Sequence, residues 1–173
     1  MRAVIGRCRL DLSGATVLTE AATGAYVVTP VLAAMSGAKR VFAIARPSRF
    51  GTVQDVTDQT LGVAHAAGVP GIIEVITERS PEVIAQADVI TNTGHVRPID
   101  SEMVAGMKPT AVVPLMYESW EFRASDVDLD ACRQRRISVA GTNERHPAVD
   151  VFSYLGIMAV KLLLDAGVAV YGS

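Results

Sequence analysis

Six short apolar runs punctuate the chain at near-regular intervals: Thr16–Thr19, Val41–Ala45, Ile72–Ile76, Val89–Thr91, Ala111–Leu115 and Ile137–Ala140. They are apolar nearly throughout rather than alternating, the pattern of strands covered on both faces. Segments of helical period lie between them, so the chain predicts parallel strands joined by right-handed helical crossovers. Thr52 with Asp55 reads as a capping box, and Val53, Val56, Thr60, Val63 and Ala67 form one helix face closed by Gly68. Ser80-Pro81 reads as an N-cap followed by proline at the first helical position, and Gly106 closes a helix that begins near Asp100. A last helix, Val149 to Ala166, is apolar nearly all round, with Ser153, Lys161 and Asp165 on one line. That is the pattern of a core helix with a narrow wet edge. In a lone domain it needs a partner surface, supplied by another subunit or a further domain.

The fold class expected is α/β: a doubly wound parallel sheet of about six strands with helices on both faces. The 173 residues fit one domain, with residues 1–11 as a lead-in. Half the residues are hydrophobic but only 5% are aromatic, as a sheet covered on both faces requires. A net charge of −2 argues against nucleic acid as a partner. Cys8 and Cys132 lie far apart without metal spacing, and are expected to be reduced thiols of a cytoplasmic protein. The N-terminus has no apolar run long enough for a signal peptide, and Val151 to Leu164 is too short for a membrane span. The ending Val170-Tyr171-Gly172-Ser173, directly after an apolar helix, suggests a piece of a longer protein. No metal-spaced cluster, G-x-S-x-G elbow or P-loop is present.

Candidate chemistry begins where the first strand runs into Glu20-Ala21-Ala22-Thr23-Gly24-Ala25-Tyr26. A dinucleotide loop has G-x-G-x-x-G here, so that backbone amides approach a pyrophosphate at a helix N-terminus. Only Gly24 remains; Ala22 and Ala25 are small, but a Cβ restricts positive φ and close backbone approach. Pro30 belongs in a first helical turn with Thr29 as N-cap, which predicts a late helix start. Two readings stand: a degenerate phosphate cradle built from Thr23, Gly24 and Ala25, or a structural turn without dinucleotide affinity. After the second strand, where an acid ordinarily accepts from the adenosine ribose, the chain has Arg46-Pro47-Ser48-Arg49. Arginine pairs bidentately with a 2′-phosphate, so NADP is favoured over NAD if a dinucleotide binds, with Arg46, Ser48 and Arg49 as its contacts. The plainer reading makes Arg46 and Arg49 a solvated strand end.

Leu12-Ser13-Gly14-Ala15-Thr16-Val17 resembles the start of the cofactor domain of D-2-hydroxyacid dehydrogenases, whose fold is Rossmann-like. Ala87-Asp88-Val89-Ile90 and Met103 to Val113 are similar to the fourth and fifth strands of that family. They are equally similar to S-adenosylhomocysteine hydrolases, in which a T-T-G turn precedes a helix and M-K-x-x-A-x-V. The run Arg123-Ala124-Ser125-Asp126-Val127-Asp128 resembles the dehydrogenase R-G-x-x-V-D. The resemblance covers residues 11 to 140 and implies that Asn92, Thr93 and Gly94 lie near a nicotinamide ribose. It also implies that Arg123 holds an acidic substrate's carboxylate and that a downstream pair, here Glu144 and His146, works as acid and base. The spacing of that pair departs from the family pattern, and the family's second domain has no counterpart here.

His95 and Arg97 follow the fourth strand, at the end where open parallel sheets bind ligands. His95 is a candidate for proton transfer, against the plain reading of a solvated loop histidine. Arg97-Pro98-Ile99-Asp100 reads as a helix start. Glu118, Trp120, Glu121 and Arg123 follow the fifth strand; Asn143, Glu144, Arg145 and His146 follow the sixth. The leading function is that of the NAD(P)-binding domain of an oxidoreductase-like protein acting on a small molecule. Glu20-x-Ala22-x-Gly24 also resembles the acidic-x-G-x-G loop of S-adenosylmethionine-dependent methyltransferases, which gives a first rival. A regulatory or assembly domain that has lost its cofactor is the second, and self-association through the last helix is expected in every case.

Overall fold

In the computed structural model, which describes residues 1–116, 121–144, 146 and 152–169, six strands form one all-parallel sheet. They are β1 (Thr16–Glu20), β2 (Arg40–Ile44), β3 (Ile73–Ile76), β4 (Val89–Ile90), β5 (Val112–Pro114) and β6 (Ser138–Ala140). Each lies within or one residue from an apolar run of the sequence. The spatial order is β3-β2-β1-β4-β5-β6, the doubly wound Rossmann-like order, with β1 pairing β2 on one side and β4 on the other. The chain therefore reverses its direction of travel across the sheet between β1 and β4, and a crevice opens beyond their carboxyl ends.

Two apolar layers sandwich the sheet, and the side-chain alternation within β1 and β2 decides which residue joins which. Val17, Val41 and Ala43 pack with Val31, Ala34, Val56 and Ala64 of α2 (Val28–Met35) and α3 (Val53–Ala66). Leu18, Phe42 and Ile44 pack on the opposite face with Ile84 of α4 (Pro81–Gln86) and Met103 and Val104 of α5 (Ser101–Gly106). Cys132 of α6 (Leu129–Gln134) completes that second layer. Helix ends follow their sequence signals. Thr52 and Asp55 form the reciprocal capping box of α3, Gly68 follows it at φ +79°, and Ser80 caps α4.

At the amino edge of the sheet, Asp88 accepts from the Thr16 N–H at 2.8 Å and from Lys108 Nζ at 2.6 Å, tying β1 to the stretch before β4. Burial raises the Asp88 pKa, but the Lys108 and Thr16 hydrogen bonds and the Lys108 charge outweigh it, holding the carboxyl below its ordinary value.

One expectation holds in part and one needs correction. The α-helix after β1 does begin late, at Val28 with Pro30 in its first turn, but its N-cap is Val27 rather than Thr29. A 3-10 turn over Gly24–Val27 leads directly into α2, and Pro30 is buried at its third position. First-turn N–H groups have no partner within the helix, so the proline costs little there. The last helix is not a core helix of this chain: α7 (Ser153–Asp165) has no buried residue, and Tyr154, Ile157, Leu162 and Leu164 are all exposed. Its wet edge is present as a Lys161–Asp165 ion pair one turn apart. Residues 149–151, expected to start it, lie outside the described residues. A short helix, α1 (Arg2–Cys8), forms the lead-in. Both cysteines are free, Cys8 exposed and Cys132 buried. Among the described residues no helix is long and apolar enough to cross a membrane.

Candidate functional site

The crevice at the β1/β4 reversal holds two neighbouring cavities that share Glu20 and Tyr26. The larger, about 490 Å³, lies over the loops after β1 and β2. Thr23, Gly24, Ala25, Arg46 and Ser48 line it, together with His95. The loop's path is set by its hydrogen bonds: the Ala21 N–H donates to the Ile44 carbonyl at 2.9 Å, which pins the turn to the end of β2. Gly24 then takes φ +65°, a left-handed conformation that favours glycine, although a Cβ there would meet nothing within 4 Å. Its N–H donates to Gln59 Oε1 of α3 at 3.4 Å.

The loop after β2 folds into a tight turn, with Ser48 and Gly51 exchanging backbone hydrogen bonds and Ser48 Oγ accepting from the Phe50 N–H at 3.1 Å. Arg46 lines the cavity, whereas Arg49 stacks its guanidinium over the Phe50 ring, 4.6 Å from the centroid. Phe50 and Tyr26 are exposed aromatic walls of the cavity.

The smaller cavity, about 200 Å³, is lined by Glu20, Thr29, Asn92, Thr93, Gly94 and Arg97, with Tyr26 and Met116. Here the residues after β4 sit in a hydrogen-bonded frame. Thr91 Oγ1 donates to Thr19 Oγ1 at 2.9 Å and lies 3.1 Å from Thr93 Oγ1, a hydroxyl chain that leads from the sheet to the cavity wall. Asn92 is buried, and its Oδ1 accepts from the Met116 N–H at 2.7 Å, while its Nδ2 has no hydrogen-bond partner among the described residues. The His95 N–H donates to Glu20 Oε2 at 2.9 Å. Arg97 Nη1 donates to Asp126 Oδ2 at 2.8 Å, and Arg79 donates to the carbonyls of Val96 and Pro98 from beneath the loop.

Nine of the sequence candidates therefore divide cleanly. Thr23, Gly24, Ala25, Arg46, Ser48 and His95 meet in one cavity and Asn92, Thr93 and Gly94 in the next. Arg49 stands outside both, on its turn. Arg123, Glu144 and His146 line neither cavity. In the Arg123 run it is Asp126 that turns inward, 8% exposed, while Arg123 is exposed and contributes its carbonyl to the turn. Glu118, Trp120 and Arg145 lie outside the described residues. Sequence reasoning did not single out Tyr26, Phe50 or Gln59 as site residues, and gave Glu20 only as the acid of the methyltransferase-like loop. Glu20 carried a legible signal, an acid at the carboxyl end of the first buried strand; the aromatics and Gln59 carried none.

No family model and no curated protein matches the chain. Among solved structures it is similar to a dipicolinate synthase chain from Bacillus halodurans, at 19% identity and a TM-score of 0.56, over 94% of this chain and 50% of that one. The corresponding dipicolinate synthase chain from Bacillus subtilis matches at 15% identity and a TM-score of 0.56, over 95% and 50%. A shikimate 5-dehydrogenase from Mycobacterium fortuitum matches at 17% identity and 0.51, over 80% and 47%. These likenesses establish the Rossmann-like fold. The chain spans about half the length of the structures it matches.

Proposed function

We propose that the crevice binds an adenine dinucleotide, as the cofactor domain of an NAD(P)-dependent oxidoreductase does, with NADP preferred over NAD. The observation that carries this reading is Arg46, which lines the larger cavity at the end of β2 where a ribose-binding acid would exclude a 2′-phosphate. The adenosine end would lie between Tyr26 and Phe50, the phosphates over Thr23 to Ala25, and the other end toward Asn92 to Gly94. The sequence likeness to D-2-hydroxyacid dehydrogenases supports the same reading. Among the described candidates for proton transfer, His95 is the one that lines the cavity. Arg123, Glu144 and His146 would act only on a substrate held by a further domain or subunit.

A second reading has its own support. The Glu20 carboxylate and the Gln59 amide stand where a pyrophosphate would approach the loop, which favours an adenosyl ligand without one, such as S-adenosylmethionine. Thermal-shift titration with NADPH, NADH, S-adenosylmethionine and S-adenosylhomocysteine separates the two. A ligand at 100 times its dissociation constant stabilises by about 2.7 kcal/mol. A shift with NADPH that Arg46→Ala abolishes upholds the first reading, and a shift with the adenosyl compounds alone upholds the second. No shift with any of the four leaves a domain that works by association.

A further inference from the structure

We propose that the 200 Å³ cavity between β1 and β4 binds the zwitterion of an α-amino acid, with the ammonium on Glu20 and the carboxylate on Arg97. The zwitterion would lie beside the adenine ligand proposed above, and only that adjacency rests on the nucleotide reading.

The half-buried Glu20 carboxylate accepts the His95 N–H, and no lysine, arginine or histidine side chain among the described residues forms an ion pair with it. A carboxylate so placed repels an anion and attracts an ammonium. Across the cavity the polarity is reversed. Arg97 spends Nη1 on Asp126, and its Nη2 faces Gly94. Asn92, 1% exposed, frames the same wall and is held there by the Met116 N–H on its Oδ1 at 2.7 Å.

Gly94 separates the two charges. Its φ is not positive, so its backbone does not require glycine. A Cβ there would stand 3.3 Å from Glu20 Oε2 and 4.0 Å from Arg97 Nη2, filling the gap between acid and guanidinium. Donors on one wall and an acceptor on the other call for a molecule carrying a carboxylate and an ammonium a few ångströms apart. A plain carboxylate would leave Glu20 facing an anion, and a plain amine would leave Arg97 unanswered. The volume is below that of sites for drug-sized ligands and suits a small one.

Two sources carry this chemistry: a free amino acid, or the amino-acid end of a larger adenosyl ligand. Isothermal titration of the chain with the common L-amino acids, S-adenosylhomocysteine and adenosine distinguishes them, each run with and without NADPH. Propionate and ethylamine serve as the two halves of alanine. At least one amino acid, or S-adenosylhomocysteine relative to adenosine, is expected to bind at least tenfold tighter than the matching compound lacking the amino or the carboxylate group. Glu20→Gln is expected to remove that advantage for the amino group, and Gly94→Ala to weaken all zwitterions together. Equal binding of the des-amino compound, or no preference for zwitterions in either series, overturns the proposal, and the wild-type series decides this without any variant. An NADPH response without zwitterion binding sinks this inference alone; zwitterion binding without any NADPH response sinks the dinucleotide reading alone.

Discussion

The backbone N–H of His95, five residues past β4, donates to the carboxylate of Glu20 at the end of β1 over 2.9 Å. One acid thereby closes the floor of the β1/β4 crevice and stands at the boundary of its two cavities. Its charge is the feature that most constrains what the crevice can hold. If phosphates lie over Gly24, Glu20 opposes them. At roughly 6 Å and an effective dielectric of about 20, the repulsion is about 1–2 kcal/mol after salt screening. Glu20→Gln is therefore expected to tighten NADPH binding about tenfold, read by isothermal titration. Unchanged or weaker binding would place the phosphates elsewhere.

Asp88 gives the fold a pH-dependent tie. Its folded pKa is lowered, so its contribution is present above the unfolded value of about 3.9 and is lost as pH falls through the folded one. The Lys108 pair is about one-third exposed on each side, which sets the loss at about 1 kcal/mol. Asp88→Asn should lower the melting point at pH 7, and the difference from wild type should shrink as pH falls below the ordinary carboxylate value of about 3.9. A constant difference across that range would assign the loss to packing instead.

The two thiols should differ sharply in reactivity. Burial, then the Asp128 charge, pushes the Cys132 thiol up, and Cys8 is exposed. Iodoacetamide at pH 8 is expected to label Cys8 within minutes and Cys132 only on unfolding, as peptide mass mapping would reveal. Equal labelling rates would mean that α6 opens readily from the sheet.

α7 presents apolar side chains on all but its Lys161–Asp165 edge and buries none of them in this chain. We expect the isolated chain to associate through it. Ile157→Lys with Leu164→Lys, at positions 69% and 54% exposed, should leave the melting point nearly unchanged and shift sedimentation toward monomer. A wild-type chain that already sediments as a monomer at high concentration would refute association.

Much of the fold was written locally. Buried parallel strands are apolar throughout, so β1 to β6 stand out as runs, and the caps at Thr52 and Ser80 are signals confined to a few neighbouring residues. The strand order followed as a class from the alternation of strands and helices. The sequence also placed Thr23 to Ala25, Arg46 and Asn92 to Gly94 at carboxyl ends of strands, which is where open sheets bind ligands.

Tertiary structure decided the rest, because it depends on which loops meet. Gln59 reaches Gly24 across 35 positions and Glu20 reaches His95 across 75, and no local pattern encodes either pairing. Arg46 and Arg49 are alike in sequence, yet the Ser48–Gly51 turn puts one in the cavity and the other over Phe50. Asp126 turns inward while Arg123 stays in solvent, because the turn between them sets which side chain meets Arg97. The apolar period of α7 is legible in the sequence, but only the structure shows that this chain buries none of it, because burial depends on what packs against a helix and not on the helix's own period.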